Sequence, residues 1–186
     1  MASILNVDQI NNAAGTSAVT IDASTGKPSF PNGMTLPAGV GGKVLQVVQS
    51  SSDSTFTTTS TSNTIVVSAT ITPSSTSNKI LLLATARIGA TRSGDQIIAM
   101  WGVGETLSGG SRSELITSAA NAGQGIHLRY INSPAAAAMF AGVSYQRLRT
   151  PSTTSAITYD IANIMQGSMA NNYVIQPTLT LMEIAQ

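Results

Sequence analysis

The chain has 186 residues, of which only 9% are charged, and its 9 Lys plus Arg stand against 8 Asp plus Glu for a formal net charge of +1. An average soluble domain is about one quarter charged; here hydroxyls take that place, with 24 Ser and 23 Thr beside 16 Gly. So sparse and balanced a charge set supplies no basic stripe for nucleic acid, while 42% hydrophobic residues argue against a disordered chain.

The first residues, MASILNVDQI, lack a cationic start followed by an apolar core, so no secretory signal is expected. From Met1 to about Gly42 the apolar residues come in small groups, as in Ile4-Leu5-x-Val7-x-x-Ile10 and Val19-x-Ile21, too few to build a core alone. Pro28, Pro31, Gly33, Pro37, Gly39, Gly41 and Gly42 then favour turns and extended chain over helix. Residues 1–42 therefore read as an extended arm or stalk that becomes ordered by packing on a partner.

After Gly42 the texture changes to short strands between turn clusters. Val44 to Val48 is the first, and Thr55 to Thr59 the second, where β-branched residues favour extended backbone. From Ile65 to Thr72, Val67, Ala69 and Ile71 alternate with Ser68, Thr70 and Thr72, the pattern of a half-buried strand. Pro73 to Asn78 reads as a turn leading into an apolar strand from Lys79 to Ile88, so the two strands are expected to form a hairpin. Gln96 to Val103 follows, then Ser108-Gly109-Gly110-Ser111, then a strand from Ile126 to Ile131. Ala135 to Val143 fits either a helix or a buried strand. Ala156 to Met165 and Tyr173 to Ala185 both alternate. Many short strands at spacings near ten residues predict an all-β fold, an antiparallel jelly-roll-like sandwich over residues 43–186. No stretch is long and apolar enough for a membrane helix, since the strongest run is only Ile80 to Ala84.

Catalytic constellations are missing from this pattern. There is no cysteine, and the single His127 alternates with Ile126 and Leu128, which puts it on the polar side of its strand. No G-x-S-x-G elbow surrounds any serine. The carboxylates Asp8, Asp22, Asp53, Asp95, Glu105, Glu114, Asp160 and Glu183 are spread too evenly to suggest an acid/base pair. Gly39-Val40-Gly41-Gly42-Lys43-Val44 lacks the opening glycine and the hydroxyl of a P-loop. The expectation is a protein that is not an enzyme and takes no cofactor or metal. Ser, Thr, Asn and Gln could read a neutral glycan through hydrogen bonds, although on strands they equally satisfy β-propensity. The strands from Lys79 and around Trp101 look apolar on both sides, which suggests burial between a core and a neighbouring subunit.

Several runs carry a resemblance. They are Gly42 to Val48, Phe56-Thr57-Thr58-Thr59-Ser60, Ile71 to Leu81, Thr150 to Tyr159 and Leu179 to Ile184, preceded by Phe30-Pro31-Asn32-Gly33-Met34-Thr35-Leu36-Pro37. In order and spacing they resemble the C-terminal domain of tailed-bacteriophage fibres and the segment before it, over most of residues 30–186. The resemblance implies a jelly-roll-like (TNF-like) knob assembled as a homotrimer, attached to the virion through the N-terminal arm and to other virion proteins there. Ile4, Leu5, Val7 and Ile10 are the candidate attachment residues. The knob would bind a host surface glycan or protein, or, in the alternative, belong to a capsid or tail decoration protein without a receptor role. Either way the chain would be made in the host cytoplasm and reside in the virion, with no nucleic acid bound and no membrane insertion.

Overall fold

The computed structural model describes residues 9–11, 14–30, 44–91, 96–116, 127–131, 138–165 and 170–186. The chain divides into two compact units, Met1–Gly41 and Gly42–Gln186. The first carries a small antiparallel sheet of β1 (Gln9–Asn11), β2 (Ser17–Ile21) and β3 (Pro28–Ser29), in that order. Its β2–β3 turn is held by Asp22, whose Oδ1 accepts from the backbone and hydroxyl groups of both Ser24 and Thr25 at 2.7–3.0 Å. Gly26 takes the positive φ of 67° that this turn requires. Every residue of this unit with a described side chain is exposed or half-buried, as its scattered apolar residues dictate.

The second unit is an antiparallel sandwich of two sheets. Its strands are β4 (Val44–Ser51), β5 (Thr55–Thr58), β6 (Thr64–Ile71), β7 (Lys79–Thr91), β8 (Gln96–Leu107), β9 (Ser113–Ile116), β10 (His127–Ile131), β11 (Ala138–Arg149), β12 (Ile157–Asn163) and β13 (Asn171–Ile184). One sheet runs β10-β8-β12-β6, with β9 also on β8; the other runs β11-β7-β13-β4, with β5 also on β13. The fold is the expected all-β, jelly-roll-like sandwich. Its core is the interdigitated inner faces of both sheets, including Ile71, Leu82, Ile88, Trp101, Ile157, Tyr159, Leu179 and Leu181, each at 1% exposure or less. The alternation read in β6 is observed, with Val67, Ala69 and Ile71 buried and Ser68, Thr70 and Thr72 exposed.

Two expectations need correction, and one open reading is resolved. β6 and β7 do not pair as a hairpin, because the 73–78 turn carries the chain from one sheet to the other. The stretch at 135–143, left open between helix and buried strand, contributes to the edge strand β11, whose outer face mixes Gly142, Ser144 and Gln146 with Phe140 and Leu148 and so hides its period. β8 needs no neighbouring subunit to bury both faces around Trp101 to Glu105: over Gly104 the cover is the chain's own Arg112.

β13 is the spine of its sheet. Between Ile175 and Thr178 it carries a bulge against β7, with Gln176 at φ 48° followed by Pro177. The extra backbone groups are taken by the turn between β4 and β5: Gln176 N donates to Ser54 O and Ser52 N donates to Pro177 O. The bulge thus divides one edge of β13 between β4 and β5.

Candidate interaction surface

Of the candidate attachment residues, Ile4, Leu5 and Val7 lie outside the described residues. Ile10 stands in β1 opposite Val19 and is 50% exposed. His127 is placed in β10, opposite Met100 of β8. Among the described residues no group of His, Asp and Glu could hold a metal ion, and no helix is long and apolar enough to cross a membrane.

Most of the described carboxylates are engaged in internal structure. Glu105, on the inner face of β8, takes a forked ion pair from Arg149 of β11, with Nε to Oε2 at 3.0 Å and Nη2 to Oε1 at 2.7 Å, which links the two sheets. Burial would raise the Glu105 carboxyl, but the Arg149 hydrogen bond, together with the nearby Tyr159 hydroxyl and the positive charges of Arg149 and Arg147, holds the group below its usual range. The same bond raises the Arg149 guanidinium. The Tyr159 hydroxyl faces this pair outside hydrogen-bond geometry, and burial followed by the nearby Glu105 charge pushes its phenol up.

On the opposite face of β8, Arg112 lies over Gly104 and grips Asp160 through Nε and Nη2 at 2.8–3.0 Å. A Cβ at Gly104 would collide with the Arg112 guanidinium. Glu114 completes this group, 3.3 Å from Arg112 and 2.6 Å from Asn63 Nδ2. Burial would lower the Arg112 guanidinium, but Asp160 keeps it raised.

Glu183 pairs with no cation among the described residues. Its Oε1 accepts from Ser74 N at 2.7 Å, Ser74 Oγ at 2.8 Å and Asn78 Nδ2 at 2.6 Å, and its Oε2 accepts from Gln46 Nε2 at 2.6 Å. Burial would raise this carboxyl; the donors of Asn78, Gln46 and Ser74 prevail and bring it to about 2. The cage pins the β6–β7 turn and β4 onto β13, which explains why that turn crosses between sheets.

A second buried pin joins the sheets where β12 stops pairing with β8, at Asn163 opposite Trp101. One residue further, Met100 N donates to Asn172 Oδ1 at 3.0 Å and Asn172 Nδ2 donates to Met100 O at 2.7 Å. The side-chain amide of Asn172 stands in for the missing strand, and it also donates to Asn163 Oδ1 at 2.6 Å.

A surface open to contact is the outer face of the β11-β7-β13-β4 sheet. Leu148 stands opposite Leu81, Leu81 opposite Met182 and Met182 opposite Val47, an apolar row across all four strands. Its ends are open, with Leu148 53% and Val47 56% exposed. Ile184 and the exposed Val44 extend it to the point where the chain enters this unit. At the other end of the same face, Phe140 and Tyr173 flank Gly89 on its two sides, their ring centroids 5.7 Å apart. Arg87 sits 4.8 Å from the Phe140 centroid. Sequence reading missed both clusters, because each is assembled from strands distant in the chain; the apolar outer positions of Lys79 to Ile88 were the one visible signal.

By architecture the second unit belongs to the antiparallel jelly-roll-like sandwiches. No known protein-family model matches the chain, and no curated protein matches it. Among solved structures it is similar to an Eiger TNF from S. frugiperda, with 8% identity and a TM-score of 0.44 over 77% of this chain and 95% of that one.

Proposed function

We propose that the chain is a structural protein of a bacteriophage virion, a trimeric fibre-like appendage whose knob contacts the host surface. The observation that carries the reading is the outer sheet face, where an apolar row crosses four strands without a carboxylate in it. A sheet face with an apolar, uncharged centre invites association unless covered, and a copy of the same chain is the cover that leaves no face bare. The ordered runs from Gly42 to Ile184 supply the virion context, and the arm supplies the attachment. Nothing in this reading calls on catalysis or a cofactor.

Light scattering of the full chain tests the assembly. Three times the 19.1 kDa chain mass is expected, with Leu148→Glu or Val47→Glu shifting it toward the monomer. A clean monomer of the unsubstituted chain at micromolar concentration overturns the trimer. For the host contact, the purified protein should label host cells and compete with phage adsorption. Incorporation into particles without either effect would favour a decoration protein instead.

A further inference from the structure

Phe140 and Tyr173 are unusual in this chain, which has only 3 Phe, 4 Tyr and 1 Trp. Trp101 and Tyr159 are fully buried, whereas Phe140 is 39% exposed on the outer sheet face and Tyr173 is half-buried beside it. The Phe140 ring lies on Gly89, so closely that a Cβ there would collide with it. Covering a glycine explains an aromatic at 140. It does not explain the exposed guanidinium of Arg87 stacked on the same ring, for which no ion pair is found among the described residues.

Arg87 is flanked on β11 by Gly142, where a Cβ would meet nothing within 4 Å. The glycine leaves open space on β11 opposite Arg87, two residues along the strand from Phe140. Across the sheet, Thr57 of β5 stands opposite Tyr173 and is exposed. The result is a shallow platform with a partly exposed aromatic ring, a cation beside that ring and a hydroxyl at its rim. The strand pattern places no described carboxylate on this outer face: Glu105, Asp160 and Glu183 are buried at 5% exposure or less.

We infer that this platform binds a carboxylated pyranose of a surface polysaccharide. The carbon-bound hydrogens of a sugar ring pack on an aromatic face, and a guanidinium forms a forked pair with a carboxylate, which a neutral sugar cannot offer. The platform lies eight residues along β7 from the apolar row, from Leu81 to Gly89, or about 26 Å at ~3.3 Å per residue. It is therefore at the far end of the face from Val44, where the chain enters the knob. The inference rests on the host-contact reading above and names the ligand class for it.

Affinity electrophoresis of the full protein through gels containing alginate, polysialic acid or dextran tests the site. Alginate and polysialic acid separate a uronate from a sialate source, and retardation by at least one of them is expected, with none by dextran. Phe140→Ser and Arg87→Gln should each weaken binding at least tenfold, and Lys79→Gln, which removes the same charge elsewhere, less than twofold. Phe140→Leu, which keeps an apolar cover on Gly89, should bind like Phe140→Ser while preserving the melting temperature. Equal loss in Lys79→Gln would reveal plain charge attraction and overturn the site. So would equal retardation by dextran, no retardation in either acidic gel, or a fall in oligomer mass on Phe140→Ser, which would make the platform an interface between copies. Host labelling that survives both site substitutions overturns this site and leaves the receptor reading standing. Alginate or polysialate binding without host labelling overturns the receptor reading and leaves the site.

Discussion

Replacing Glu183 with Gln tests whether one caged carboxylate holds the sheet-to-sheet crossing. A glutamine oxygen turned toward Ser74 and Asn78 keeps three acceptor contacts, but as neutral bonds. Its NH2 then meets Gln46 Nε2, and Gln46 cannot simply turn over, because that nitrogen also donates to Thr72 O at 2.7 Å. Hydrogen bonds to a charged group are worth about 1.5–3 kcal/mol and neutral ones about 0.5–1.5. Weakening three by about 0.5–1 kcal/mol each and losing the fourth removes about 3–6 kcal/mol, from which relief of the buried charge returns about 1. The expected loss is thus about 2–5 kcal/mol at pH 7. Urea unfolding followed by far-UV circular dichroism, at one protein concentration and at several pH values, measures it. Because the folded carboxyl is held at about 2, below the ordinary 4.5, its stabilising contribution is complete above pH 4.5 and disappears as pH falls toward 2. The wild type should therefore lose more stability through that window than Glu183→Gln does, so the two converge in acid. A variant within about 0.5 kcal/mol of wild type at pH 7, or a gap that stays constant down to pH 2.5, would refute the reasoning.

Asn172→Ala leaves both backbone groups of Met100 and the Asn163 amide short of partners, at a cost of about 3 kcal/mol, and hydrogen exchange at the Met100 amide should accelerate more than at Leu82. Gly104→Ala drives Arg112 off Asp160, which is 1% exposed, and should destabilise by about 3 kcal/mol, as breaking a buried pair does; Arg112→Met should cost about the same if displacement is the cause. A double-mutant cycle on Glu105→Gln and Arg149→Gln should give a coupling of about 1–2 kcal/mol at pH 7 that shrinks as Glu105 protonates in acid. The Glu105 pKa is lowered in the folded state, so its contribution is present at neutral pH and fades below the carboxylate range.

The strands that face a core on one side were legible because burial writes a period of two into them. Val67, Ala69 and Ile71, or Leu179 and Leu181, name their own inner face. Sheet membership was not legible. The turn from Pro73 to Asn78 has the composition of any hairpin loop, and what directs it to the other sheet is Glu183, more than a hundred positions later. β9, only Ser113–Ile116, is too short to show a period, and the outer residues of β11 beyond Val143 are mostly polar. The outer-face clusters were illegible for the same reason as the turn. Leu148, Leu81, Met182 and Val47 are each unremarkable in the sequence, and only the register of three strand pairs sets them in a row.

That register also limits how copies can meet. A contact centred on the Leu148–Leu81–Met182–Val47 row gains apolar burial at about 25 cal/mol per Å² with no charge to desolvate at its centre. Extended along the sheet it would reach Arg87, which has no described carboxylate to pair with, and burying an unpaired guanidinium costs several kcal/mol. Lys79 sets a similar boundary at the opposite end, beside Ile184. Self-association on this face is therefore confined between two cations and stops short of the aromatic platform. Substituting Arg87 with Leu removes that boundary, so the oligomer should become larger or less well defined, whereas Arg87→Lys should leave its mass unchanged. An Arg87→Leu protein with the wild-type mass and solubility would show that charge does not set the limit.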